Sequence, residues 1–227
     1  MKIQTIVGLF LGLLAAACST PPAPAPGPSV EAPRYSVGQR WTYNEINGFN
    51  NLSRGTVVRD VAATGPLTRI VTLAPDGRIA DDATVVEGRL VNGAFSDRTA
   101  GRVESGIVFR PFPLVIGQRW SDRQPRLDSV WKEIRPTRID GVVRGWETVR
   151  VPAGEFKAIK IERQMYLGDS DVWRGETVRF EQEWYVPEIG AAVKLIVRED
   201  YRVMNRRTRQ STVGDWFIWE MLSSSRP

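Results

Sequence analysis

The chain contains no histidine and a single cysteine among its 227 residues. Without histidine it lacks the commonest general base, the usual base of a nucleophilic triad and the usual zinc ligand. One cysteine cannot form a disulfide within the chain. No phosphate-cradling glycine loop of either common form occurs, and no stretch of a dozen residues carries the periodicity of an amphipathic helix. No later apolar run approaches the roughly 20 residues that a membrane-spanning helix needs. No cofactor and no metal site is expected, and no catalytic residue is assigned.

The N-terminus carries more information. Lys2 supplies a positive start, and residues 6–14 form an apolar run within the roughly 7–15 residues of an export-signal core. Ala15, Ala16 and Ala17 suit a narrow cleavage pocket, and Cys18 follows directly. This arrangement resembles the lipobox of bacterial lipoproteins, in which the thiol is acylated and becomes the first residue of the mature chain. Many lipoboxes have Leu three residues before the cysteine, whereas this chain has Ala15 there and Leu14 one step earlier. The alternative is an ordinary secretory signal with an incidental cysteine.

The resemblance implies a signal peptide over 1–17 and lipidation, palmitate included, at Cys18. Ser19, where aspartate would retain a lipoprotein in the inner membrane, resembles the outer-membrane default, so the expected address is its periplasmic face. Acyl chains contribute about 0.8 kcal/mol per buried CH₂, which makes such an anchor stable without a spanning helix.

Residues 18–33 read as a lipidated cysteine followed by a proline-rich spacer. At about 3.1 Å per residue, residues 19–33 could reach roughly 45 Å. Residues 34–227 read as an all-β domain, a curved antiparallel sheet forming a partial or closed barrel with little helix. Candidate strands cover 40–46, 55–62, 67–73, 84–91, 145–151, 156–167, 177–186 and 191–203. Turns are expected at Pro75-Asp76-Gly77, Asn92-Gly93, Pro152-Ala153-Gly154 and Pro187-Glu188-Ile189-Gly190.

In the strand over 177–186, Val178, Phe180, Trp184 and Val186 form the expected buried face, against Thr177, Arg179, Glu181, Glu183 and Tyr185. In the strand over 156–167 the apolar face is Ile159, Ile161, Met165 and Leu167. Residues 216–222 are apolar on both faces, and periodicity does not separate strand from helix there. Val37-Gly38-Gln39-Arg40-Trp41 recurs as Ile116-Gly117-Gln118-Arg119-Trp120. The recurrence marks either two subdomains, 34–113 and 114–227, or reuse of one strand-entry device.

The formal charge is +5, from 31 basic and 26 acidic residues. The densest basic group is Arg202, Arg206, Arg207 and Arg209, read as a solvated turn; nucleic acid is not an expected partner. Asp81-Asp82 and Asp169-Ser170-Asp171 are the tightest acidic groups, and both read as solvated loops rather than calcium sites. The eight tryptophans read mainly as core filling.

Residues 151–158 (Val-Pro-Ala-Gly-Glu-Phe-Lys-Ala) and 183–194, with Trp184, Tyr185, Pro187, Gly190, Val193 and Lys194, resemble a pattern of secreted bacterial β domains of unknown function. Pro113, Leu114, Gly117 and Trp120 match the strand start that often precedes it. The resemblance implies a partial barrel like those of periplasmic lipoprotein carriers, and no activity. The leading expectation is a membrane-anchored, non-enzymatic lipoprotein that binds an apolar ligand or an envelope protein. A structural or assembly factor is the second reading, and a carboxylate-dependent hydrolase of cell-wall glycan the third.

Overall fold

A computed structural model describes residues 29–94, 102–104, 106–128, 132–168, 174–203 and 211–227. The signal segment, Cys18, Ser19, Trp131, Asp169, Asp171, Trp173, Arg206, Arg207 and Arg209 lie outside the described residues.

The described chain is all β. The strands are β1 (Arg40–Asn47), β2 (Ser53–Ala63), β3 (Thr68–Leu73), β4 (Ile79–Val86), β5 (Arg89–Ala94), β6 (Arg102–Val103) and β7 (Ile107–Val108). They continue as β8 (Arg119–Leu127), β9 (Ile134–Val151), β10 (Gly154–Gly168), β11 (Arg174–Val186), β12 (Ala191–Val203) and β13 (Ser211–Ser225). The hydrogen-bonded order is β4-β3-β2-β1-β13-β12-β11-β10-β9-β8-β6-β5, and the β4–β5 hairpin joins the two ends. The result is a closed antiparallel barrel of twelve strands, with β7 paired to β5 as an extra strand. Closure leaves no open edge among the long strands. The doubly apolar segment over 216–222 is strand, inside β13.

The repeated Gly-Gln-Arg-Trp segments are the same device used twice. Gly38 and Gly117 have φ of 84° and 83°, a left-handed turn that glycine adopts without strain. Each following glutamine folds back on the turn. Gln39 Oε1 accepts from Ser36 N at 3.4 Å, and Gln118 Oε1 accepts from Val115 N at 3.0 Å. Each glycine N–H then donates across to a neighbouring strand, Gly38 to Val61 O and Gly117 to Val143 O. The turns launch β1 and β8, and Trp41 and Trp120 follow at the second residue of each strand.

Asn92-Gly93 is not a turn but lies within β5. The β4–β5 connection is Glu87-Gly88, whose φ values of 45° and 81° suit the tight turn that matches strand twist. Gly93 is in the strand because Ala83 and Leu90 pack onto the space a side chain would fill.

Up to Glu183 the expected faces of β11 are inverted, whereas Trp184 and Val186 are buried as expected. Thr177, Arg179, Glu181, Glu183 and Tyr185 are buried, whereas Phe180 is 39% exposed. In β10 the apolar face is as expected, but its middle position, between Ile161 and Met165, is Arg163, which is 5% exposed. The cause is neutralisation between strands, described below.

Gly141 of β9 pairs in register with both Arg163 and Trp120. A side chain at Gly141 would collide with the Trp120 ring. Gly141→Ala is therefore expected to destabilise the barrel by about 1–3 kcal/mol, the usual cost of overpacking. A denaturant titration showing unchanged stability would contradict this packing.

Candidate functional site: the barrel lumen

Three strands and one loop place six charges inside the barrel. Arg163 sits on β10, Arg179, Glu181 and Glu183 on β11, and Glu199 on β12, with Arg110 arriving from the segment after β7. Register sets the pairing: Arg163 lies opposite Glu181, and Arg179 opposite Glu199.

The charges alternate along a continuous ladder. Arg110 Nε donates to Glu183 Oε1 at 2.7 Å. Arg163 reaches Glu183 Oε2 at 2.6 Å and Glu181 Oε2 at 2.8 Å. Arg179 reaches Glu181 Oε1 at 2.7 Å and Glu199 Oε1 at 3.2 Å. Arg163 also donates to the Phe109 carbonyl at 3.2 Å. Aromatic rings lie beside all three cations, Tyr185 by Arg110, Phe109 by Arg163 and Phe217 by Arg179.

Arg163 and Arg179 each serve two carboxylates and Arg110 serves one, so the ladder is neutral and held by directed contacts. Burial alone would raise the glutamate pKa values. Arg110 and Arg163 outweigh it at Glu183 and hold that carboxyl at about 2. Arg179 and Arg163 likewise outweigh burial at Glu181 and lower it. Burial alone would lower Arg179, but Glu181 and Glu199 outweigh it and raise that group. Both lowered glutamates stay ionised, which makes them poor proton donors near neutral pH.

Beside the ladder lies a cavity of about 370 Å³ within the barrel. Its walls include Trp41, Tyr43, Ile70, Phe109, Phe217 and Trp219 together with ladder side chains. Its lining extends to Pro33, Tyr35, Pro66, Gly88 and Gly190. These belong to the segment before β1 and to the β2–β3, β4–β5 and β11–β12 turns, all at one end of the barrel, so the mouth is there. The segment from Ser29, read from sequence as the end of the spacer, is held across this end. Val30 pairs with Leu114, and the Tyr35 hydroxyl donates to the Gly190 carbonyl at 3.4 Å.

The acidic pair Asp81-Asp82 is not in a loop, as the sequence suggested, but in β4, where alternation sends its members to opposite faces. Asp82 faces out to Arg69, at 2.7 Å. Asp81 faces in, accepting from Ala94 N at 3.1 Å, with Arg102 at 3.4 Å. Burial raises the Asp81 carboxyl despite these donors. Arg202, from the basic group, pairs with Glu176 at 2.8 Å. The tryptophans divide: Trp41 and Trp219 line the lumen, while Trp216 lines a groove on the outer wall with Phe180. Sequence reasoning missed the ladder. Its one visible signal was the single arginine interrupting the apolar face of β10.

No family model matches the chain, and no curated protein matches it. Solved structures do resemble it. A provisionally named lipoprotein from Parabacteroides distasonis is 12% identical with a TM-score of 0.49, over 87% of this chain and 99% of that one. A provisionally named exported protein with a YmcC-like fold from Bacteroides fragilis is 13% identical with a TM-score of 0.42, over 87% and 100%. The hypothetical lipoprotein YmcC from Escherichia coli is 9% identical with a TM-score of 0.41, over 83% and 86%. Likeness this distant carries no inference about what the present chain does.

Removing one member of a buried ladder leaves its partners charged and unpaired. Arg163→Met is expected to cost about 3–5 kcal/mol in urea unfolding, whereas Arg40→Gln, at an exposed pair, leaves the midpoint nearly unchanged. Equal effects would show that the ladder is not buried in solution. The same geometry fixes an acid dependence. Glu183 is depressed in the folded state, so its contribution is complete above the ordinary value of 4.5 and fades as pH falls toward about 2. Stability that stays flat across that window would contradict the assignment.

Proposed function

We propose that this protein is a lipid-anchored lipoprotein of the bacterial envelope that binds a small, partly apolar ligand inside its barrel and performs no catalysis. The observation that carries the binding reading is the lumen cavity. Its volume of about 370 Å³ falls within the roughly 300–1,000 Å³ of small-molecule pockets. Barrels of about eight strands are filled by their own side chains or hold one small ligand, and wider ones have room to spare. Twelve strands leave space here even with the six ladder side chains inside.

The address rests on the sequence. Lys2, the apolar run, the three alanines and Cys18 support an acylated N-terminus, and Ser19 supports the outer membrane. The proline spacer supports a domain held off the membrane surface.

The outer wall favours a second reading. A groove of about 630 Å³ runs over it, and Phe180 and Ile196 stand among its lining. Such a surface suits an envelope protein partner.

Purification of the full-length chain from membranes, solvent extraction and mass spectrometry test the leading reading. One small amphipathic species at near-stoichiometric yield is expected, and Cys18→Ser is expected to release the protein from the membrane fraction. An extract no richer than that of an unrelated lipoprotein prepared alongside would overturn the binding reading. A Cys18→Ser chain that stays membrane-bound would overturn the anchor.

A further inference from the structure

Resting on that binding reading, we propose that the lumen ligand is an anionic amphiphile whose acidic headgroup is held by Arg59. The inward residues of β1 to β4 form a cross-strand row. Trp41 pairs with Arg59, Arg59 with Thr72, and Thr72 with Asp81. All four line the cavity. Arg59 alternates with Val57 and Val61, which are 2% and 1% exposed, so its side chain points into the barrel.

The inward-facing carboxylates around Arg59 are already committed, and Glu87 and Arg89, which also line the cavity, stand exposed near its mouth. The ladder pairs three arginines with three glutamates. Asp81 is engaged by Ala94 N and Arg102. Arg59 makes no hydrogen bond or ion pair with another described residue. It is half-buried, and although its charge acts on Asp81, no carboxylate contacts it directly. A carboxylate or phosphate would supply the missing partner, and the planar guanidinium suits either as a bidentate donor.

The rest of the cavity fits a tail. Ile70, Ala83, Val85 and Leu90 line it from β3 to β5, and Phe217 and Trp219 from β13. A molecule with an acid at one end and an apolar chain at the other satisfies both regions, whereas a wholly apolar molecule would leave Arg59 unpaired. Access has a geometric basis too. The mouth shares its end of the barrel with Ser29, eleven residues after Cys18. At about 3.1 Å per extended residue that is at most about 35 Å, which keeps the mouth near any membrane the anchor enters.

Calorimetry on the full mature chain in phosphatidylcholine nanodiscs, with empty nanodiscs subtracted, tests this with octanoate and octanol as probes. Octanoate is expected to bind at least tenfold more tightly than octanol. Arg59→Gln is expected to remove that advantage while leaving octanol unchanged, and Arg59→Lys to keep part of it. Equal wild-type affinities for the two probes, or an Arg59→Gln chain that keeps its octanoate preference, would overturn the headgroup assignment. Octanol binding without an octanoate advantage sinks that assignment alone. Silence from both probes, together with an empty extract, sinks the binding reading as well. The wild-type comparison of the two probes needs no variant to fold.

Discussion

Six charges form one ladder inside this barrel, and each is tolerable there because the next has the opposite sign. A lone carboxylate or guanidinium there would lose several kcal/mol of hydration. The sequence Arg110, Glu183, Arg163, Glu181, Arg179, Glu199 removes that cost by contact at every step. The ladder works only if β10, β11 and β12 hold one register and the segment after β7 arrives beside them. A slip of one residue in β11 would turn Phe180 and Gln182 inward and send three charges outward, since strand side chains alternate with period two. It would also strand Arg163 and Glu199 without partners. Apolar burial alone would not penalise that slip, because Val178, Phe180 and Trp184 would fill a lumen acceptably. The charges therefore select the register of these strands.

The rest of the interior is arranged around that line. Along β10, Ile159 and Ile161 lie on one side of Arg163 and join a cluster with Leu114 and Tyr185. Met165 and Leu167 lie on the other side and join Val103, Ile107 and Ile139. The ladder thus lies between two apolar layers along β10, with the cavity beside it. The wall made by β1 to β4 carries fewer charges, and the cavity lies against it.

Local signals in the sequence were read well, and long-range complementarity was not. The Pro75-Asp76-Gly77 and Pro187 to Gly190 turns lie where expected, because turn chemistry is written in adjacent residues. The turn falls at Glu87-Gly88 rather than Asn92-Gly93, and a glutamate with positive φ leaves no mark in composition. The inverted face of β11 has a different origin. Thr177, Arg179, Glu181 and Glu183 look like a solvated face when β11 is read alone. Their partners lie on β10, on β12 and in a loop more than seventy residues earlier. No window along the chain contains the neutral set. The only trace in the sequence is Arg163, which interrupts an otherwise apolar face. Arg59 was hidden in the same way: it belongs to a row that only the pairing of four strands creates.

Neutrality of the ladder also determines what the lumen can select for. Glu183 is held near 2 and Glu181 is lowered, so both stay ionised at any pH above the acid range. Their arginines remain occupied, and the ladder offers no net charge to an incoming molecule. It offers polarity and rigidity without a preference for sign. Asp81 is engaged from two sides. On the proposed reading, discrimination by charge inside the barrel falls to Arg59, an inward-facing cation that contacts no carboxylate among the described residues; Glu87 and Arg89, which also line the cavity, are exposed near its mouth. A lumen whose polar wall is self-satisfied and whose selectivity rests on one arginine would tolerate tails of varied shape while demanding an acid at the mouth.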